Sequence, residues 1–456
     1  MRIHVFLLSF IFLLAGSARF QAQQSKKVSG VWEGNIEIPG APIGVVVKIN
    51  ETSGGLEAKI SVPAQGGVEY ASSALEYKSD SLLITFGQMH AVYRSKVRAD
   101  SAIISGKWEQ NKSFFPLRLV PGKEIVRNRP QEPKPPFPYR SEEVTIENTG
   151  DQVKLAGTLT LPSTGKSFPA LVLITGSGPQ DRNEEIFGHK PFLLLADYLT
   201  RQGFAVLRYD DRGIAKSTGD FTVCTSADFA RDAEAAVAYL KTRKEINPHK
   251  IGLLGHSEGG LIAPMIASHN KDVAFLILLA GPGIKGADLL LLQSAAVARS
   301  MGAGDLQIAM AANMNRKIYA WAQLEGTAGT DSIQDFLIKN GVGKESAGKQ
   351  ARTVASPWFR YFIAADPAVY LNKVTCPVLA LNGTKDIQVS CTEDLQGIKD
   401  ALDKAHNTHF DTHAFEGLNH LFQHCEKCTV AEYGVLEQTM DPEVLKYIGD
   451  WLKGLP

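Results

Sequence analysis

Lys250-Ile-Gly-Leu-Leu-Gly-His-Ser-Glu-Gly-Gly-Leu-Ile-Ala-Pro-Met-Ile-Ala267 decides how the rest of the chain is read. Residues 250–255 form a short apolar run of the kind that makes a buried strand. Residues 258–268 read as a helix. Between them, Gly255-His256-Ser257-Glu258-Gly259 fits G-x-S-x-G. Five residues match such a pattern by chance often, and the flanking strand and helix give the match its weight. A turn this tight holds its central residue in a strained conformation and needs small neighbours, a need that Gly255 and Gly259 meet. The following helix N-terminus favours negative charge beside Ser257. The competing reading is a Gly-rich turn with a structural serine.

The same rhythm extends on both sides. Residues 144–147 and 153–161 read as an entry hairpin. Strands are expected at 170–175, 205–209, 250–255, 273–280, 377–381 and 409–415, and helices at 191–201 and 227–240. Pro191 suits a first helical turn, and Phe229, Ala233, Ala236, Val237 and Leu240 recur at helical spacing. Continuous apolar strands separated by helices indicate a mostly parallel sheet covered on both faces. Residues 282–372 offer no strand and are too long for a plain connection, so they read as an inserted helical cap. Its stripe of Leu289, Leu290, Leu292 and Val297 is read as packing against the main domain, with substrate contact as the alternative. This α/β domain spans residues 141–456.

Three zones precede it. Residues 1–22 carry Arg2, an apolar run over 5–15 and small residues at Gly16, Ser17 and Ala18, the layout of a secretory signal peptide. The run is short of the roughly 20 residues of a membrane span, although an uncleaved anchor is the competing reading. Residues 23–123 alternate short strand-like runs (43–49, 56–62, 81–86 and 102–108) with turn residues and show no helical period. They read as a small antiparallel, barrel-like β domain with Trp32 and Trp108 inside. Residues 124–140 include Arg129-Pro-Gln-Glu-Pro-Lys-Pro-Pro-Phe-Pro138, which resists helix and sheet and reads as a linker. Apolar residues are 44% of the 456 and charged residues 21%, the composition of a chain that buries a large core. Lys+Arg and Asp+Glu stand at 48 each, so no overall basic field points to nucleic acid or anionic lipid.

A serine hydroxyl needs a base to become a nucleophile at neutral pH. With this kind of elbow the chain order is Ser, then acid, then His. Asp386 follows the strand at 377–381 and is the expected acid, with Asp394 as rival. His420 follows the last strand and is the expected base, with His424 as nearest competitor. An oxyanion hole would use the backbone N–H of Glu258 and that of Ser177 in the Gly176-Ser-Gly-Pro179 loop, with Gly178 as the alternative to Ser177. His420, His424, Cys425 and Cys428 also have residue types and spacing that suit zinc, which would remove His420 as base. In an exported chain the same cysteines suit a Cys425–Cys428 or a Cys391–Cys425 disulfide. Five cysteines leave at least one thiol without an intramolecular partner.

Residues 174–183 (Ile-Thr-Gly-Ser-Gly-Pro-Gln-Asp-Arg-Asn), 208–213 (Arg-Tyr-Asp-Asp-Arg-Gly) with Lys216-Ser217, the Ser257 elbow, Gly383-Thr-Lys-Asp386 and Gly417-Leu-Asn-His-Leu-Phe422 together resemble bacterial α/β-hydrolases of the carboxylesterase and serine-aminopeptidase-like group. The resemblance covers residues 142–456 apart from the cap. It implies an α/β-hydrolase sheet, a Ser257–Asp386–His420 triad, and ester or amide hydrolysis with no cofactor and no metal. The expected function is an exported serine esterase, periplasmic or secreted, acting on a small-molecule ester. A serine exopeptidase on short peptides is one alternative, with Glu325 or Asp331 of the cap as candidate anchors for a substrate ammonium. The other is a glycan- or envelope-binding protein with a vestigial hydrolase domain. Neither a nucleic-acid partner nor a membrane span after signal cleavage is expected.

Overall fold

The computed structural model describes residues 28–455 apart from 39–41, 53–54, 63–68, 98–102, 111–112, 124–127 and 325. The signal read at 1–22, the start of the strand read at 102–108 and Glu325 lie outside the described residues. The chain divides into two compact units between Asn128 and Arg129.

The first unit is one antiparallel sheet of nine strands: β1 (Gly30–Ile36), β2 (Ile43–Thr52), β3 (Gly55–Ser61), β4 (Glu69–Ala71), β5 (Ala74–Lys78), β6 (Ser81–Phe86), β7 (Ala91–Val97), β8 (Ile104–Gln110) and β9 (Ser113–Pro121). Their order is β4-β3-β2-β1-β9-β8-β7-β6-β5. Side chains alternate along each strand, and one face supplies a single core that includes Trp32, Ile49, Ile60, Ile84, Phe86 and Trp108. Tyr93 closes its polar end by donating to the carbonyls of Ile104 and Leu117 at 3.0 and 3.1 Å. Among the described residues no ladder joins β4 to β5, so the sheet wraps its core without closing into the barrel the sequence suggests.

The second unit holds an eight-stranded sheet: β10 (Arg140–Asn148), β11 (Val153–Leu161), β12 (Phe168–Ile174), β13 (Ala205–Tyr209), β14 (Ile246–His256), β15 (Val273–Leu279), β16 (Val378–Gly383) and β17 (Phe410–Phe415). The order is β10-β11-β13-β12-β14-β15-β16-β17, and only β11 runs against the others. This is the α/β-hydrolase sheet that the motifs imply. The helices are α1 (Pro191–Arg201), α2 (Ser226–Thr242), α3 (Gly259–Ala267), then the cap helices α4 (Gly286–Ser300), α5 (Asp305–Ala322), α6 (Ala328–Lys339), α7 (Lys344–Val354), α8 (Pro357–Ala364) and α9 (Ala368–Leu371), and finally α10 (Cys391–Lys404), α11 (Val430–Tyr433) and α12 (Pro442–Lys453). Residues of α2, α3 and α10 share a core with one face of the sheet, and those of α1 and α12 with the other. The central strands are buried on both faces, which is why they read as unbroken apolar runs. The cap has a small core of its own around Ile318, Ile333, Leu337 and Ala351. Of the cap stripe, Leu289 is buried in the main core and Leu292 is exposed.

The Pro-rich stretch from Arg129 onward is fastened to the second unit. The Arg129 guanidinium donates to the carbonyls of Phe187, Gly188, Gly434 and Leu436. The Gln131 side chain donates to Met440 O and accepts from Thr439 N.

Candidate active site

β12, β14, β15, β16 and β17 run parallel side by side, so the loops that leave the C-terminal ends of β12, β14, β16 and β17 gather along one edge of the sheet. These loops begin at Thr175, Ser257, Thr384 and Glu416. Ser257 has φ 53°, a left-handed conformation that an L-residue other than Gly rarely takes. Its N–H donates to Leu279 O at 2.9 Å, and its carbonyl accepts from Gly260 N at 2.8 Å. The turn closes only because its flanks lack side chains. A Cβ on Gly255 would lie 2.0 Å from Gly259 O, and one on Gly259 would lie 2.2 Å from Ile174 O. Ser257 is partly exposed, and its hydroxyl makes no hydrogen bond among the described residues.

His420 lies in the loop after β17, with its ring Nδ1 2.7 Å from Asp386 Oδ2. Both side chains are almost wholly buried. Asp386 Oδ1 accepts the N–H groups of Gln388 and Val389 at 2.7 and 3.0 Å. The aspartate is thereby fixed by its own loop, and the contact to Nδ1 leaves Nε2 as the free ring nitrogen of His420. The ring lies beside the elbow, 4.8 Å between centroids from that of His256. His424 faces Asp441 instead. Asp394, the rival acid, sits on α10 and accepts the N–H groups of Gly283 and Ile284, where the chain enters the cap. Its other oxygen is buried and unpartnered, and burial raises its pKa to about 7 against the opposing backbone hydrogen bonds.

The loop after β12 is held by the segment after β13. Asp211 accepts from Thr175 Oγ1 at 2.8 Å and from Gln180 N at 3.0 Å. Asp210 accepts from Arg182 N, Nε and Nη2, each at 2.9 Å. Burial pushes the Asp210 carboxyl up, but the Arg182 contacts outweigh it and hold it below its ordinary value. In this loop the N–H of Gly176 is taken by Glu184 Oε1 at 2.7 Å. The N–H groups of Ser177 and Glu258 donate to nothing among the described residues. The Glu258 side chain turns away from the turn. It accepts from Ser226 Oγ at 2.6 Å and from Trp358 Nε1 of α8 at 2.9 and 3.0 Å, which joins the cap to the elbow. Burial raises its pKa despite both hydrogen bonds.

Motif reading placed Ser257, Asp386, His420, Ser177 and Glu258 in these loops and passed over four groups that hold them. Asp210 and Asp211 were visible only as part of a resemblance. Trp358 and Glu184 had no local signal, since Trp358 meets Glu258 across 100 residues and Glu184 meets His256 across 72. Cys425 pairs with Cys428, so the Cys391–Cys425 bridge does not form, and Cys224, Cys376 and Cys391 are free thiols. The proposed four-residue zinc set does not converge. Among the described residues the group that comes together is Cys425, Cys428 and Glu432, and the Glu432 carboxylate accepts backbone N–H groups of residues 426–428.

Residues 190–426, just over half of the chain, match the family described as serine aminopeptidase, S33. Esterase EstD of Thermotoga maritima is 26% identical over 318 residues, covering 70% of this chain and 68% of its own. The protein YfhR of Escherichia coli K12 is 29% identical over 125 residues, covering 27% and 41%. Among solved structures, an esterase of Pyrococcus furiosus overlays with a TM-score of 0.44 at 19% identity, covering 73% of this chain and 98% of its own.

Two outcomes are expected from these contacts. Asp210→Ala strips the buried Arg182 guanidinium of its main carboxylate and should cost about 3–5 kcal/mol of stability, measured by urea denaturation. Asp394 is protonated more readily in the folded than in the unfolded chain, so it takes stability away as pH rises from the unfolded carboxylate range through about 7. Asp394→Asn should therefore gain in melting temperature relative to the parent across that window. A difference that stays constant with pH would contradict this.

Proposed function

We propose that this chain, which belongs to the serine aminopeptidase S33 family, hydrolyses carboxylic esters of small or medium size through an acyl-enzyme on Ser257. In this reading His420 Nε2 takes the Ser257 proton as Oγ attacks the substrate carbonyl. Asp386 holds the Nδ1 side and stabilises the imidazolium that forms. The N–H groups of Ser177 and Glu258 receive the oxyanion. The imidazolium then protonates the departing alcohol, and water, activated by the same ring, releases the acid. The observation that carries the reading is the 2.7 Å contact of His420 Nδ1 with Asp386, because it leaves the other ring nitrogen free to act as base.

Ester rather than peptide cleavage is favoured by the electrostatics of the site. An exopeptidase needs an anionic group for the substrate ammonium. The Glu258 carboxylate is buried, doubly bonded to Ser226 and Trp358, and shifted toward its neutral form. Asp331 is exposed in the first turn of α6. The name of the Thermotoga maritima relative supports the same choice, whereas the family's description supports the exopeptidase as second reading. Export to the periplasm or the cell exterior is part of the proposal and rests on the pattern of residues 1–22. No helix among the described residues is long and apolar enough to cross a membrane.

The purified protein should turn over p-nitrophenyl acetate far faster than aminoacyl-p-nitroanilides, and Ser257→Ala should lose on the order of a thousandfold or more in turnover. Preference for the anilides would favour the exopeptidase, and activity retained in Ser257→Ala would remove the mechanism.

A further inference from the structure

His256 and Glu184 take no part in the chemistry above, yet they lie at its centre. Both are buried, Glu184 2% and His256 7% exposed. One oxygen, Glu184 Oε1, accepts the Gly176 N–H at 2.7 Å and faces His256 Nδ1 at 2.9 Å. The opposite ring nitrogen, His256 Nε2, is 3.0 Å from the carbonyl oxygen of His420. A carbonyl only accepts, so Nε2 carries a proton, and a second proton on Nδ1 would point at the carboxylate. Burial would depress the His256 pKa, but the charge and hydrogen bond of Glu184 outweigh it, so the ring lies above the ordinary histidine value. The second Glu184 oxygen is buried without a partner among the described residues, and Phe192, Leu195, Leu279 and Phe422 line the space around the pair. In such surroundings the carboxylate depends on the imidazolium for compensation.

The contacts around this pair reach the loop after β12, the nucleophile's turn and the His420 loop. A Cβ on Gly176 would lie 3.2 Å from Ser257 Cβ and 3.3 Å from Glu184 Oε1, so the loop, the nucleophile and the carboxylate touch. We propose that Glu184 and His256 are positioning residues, a buried two-residue strut that sets the spacing between the oxyanion loop and the catalytic histidine by holding Gly176 N–H at one end and His420 C=O at the other. This rests on the triad reading of Ser257 and His420. The strut touches no substrate atom. It adds a fixed link between two backbone groups of the site, and a displacement of about 1 Å there costs on the order of a hundredfold in rate.

The test uses the full chain with p-nitrophenyl acetate. Glu184→Gln and His256→Gln should each lower kcat about a hundredfold, with KM within about threefold of the parent. The double variant should fall no more than about threefold below the weaker single one, because the two residues act as one unit. Either single variant keeping kcat close to the parent, a loss confined to KM, or losses that multiply in the double variant would overturn the proposal. Where a variant does not fold, the unaltered protein labelled with 15N-histidine gives the answer. One buried ring should keep both nitrogens protonated to a higher pH than exposed imidazoles do, and a set of rings none of which titrates above the ordinary histidine value would overturn the strut. Ser257→Ala separates the two ideas: retained turnover there defeats the triad itself, whatever the strut variants do.

Discussion

The positive φ of Ser257 is the constraint on which the site depends. Holding an L-residue there costs on the order of 1–3 kcal/mol, so the surroundings must over-determine it. They do so by covalent economy on either side and by hydrogen bonding across the sheet. Gly255 and Gly259 remove the side chains that would collide. The Ser257 N–H is captured by Leu279 at the end of β15, and its carbonyl by Gly260. The turn thus converts the rigidity of a doubly covered parallel sheet into the direction of a single hydroxyl.

Around that point, three loops are held by buried carboxyl groups. Asp210 and Asp211 fix the loop after β12, the Asp386 loop wraps its own carboxylate, and Glu258 links the elbow to Trp358 of the cap. Carboxyl groups buried this deeply are tolerated because each has a hydrogen-bond partner or several backbone donors. The cap is therefore connected to the residue that follows the nucleophile, so changes in how α8 lies bear on the N–H proposed for the oxyanion.

Much of the second unit was legible because its strands are buried on both faces and its helices are not. The expected helix at 191–201 and strand at 205–209 coincide with α1 and β13, and the strandless interval is the cap. The β unit was harder to read. β9 contains Pro116 and Pro121, which argue against a strand locally, yet it pairs with both β1 and β8, and tertiary pairing overrides the propensity. At the site, spacing and order picked out the residues that line the loops, since each follows a recognisable strand. The supports stayed hidden because they join distant positions. His256 meets Glu184 across 72 residues and His420 across 164. Cysteine pairing was equally open, and the chain chose its nearest neighbours, Cys425 and Cys428.

The most direct test of the central claim is covalent. Treating the folded protein with a fluorophosphonate, then digesting it and mapping the modified peptide, asks which hydroxyl is activated. The account predicts one modified residue, Ser257, with labelling abolished in His420→Ala. A folded protein that resists labelling, or a modification mapped to another residue, would contradict it.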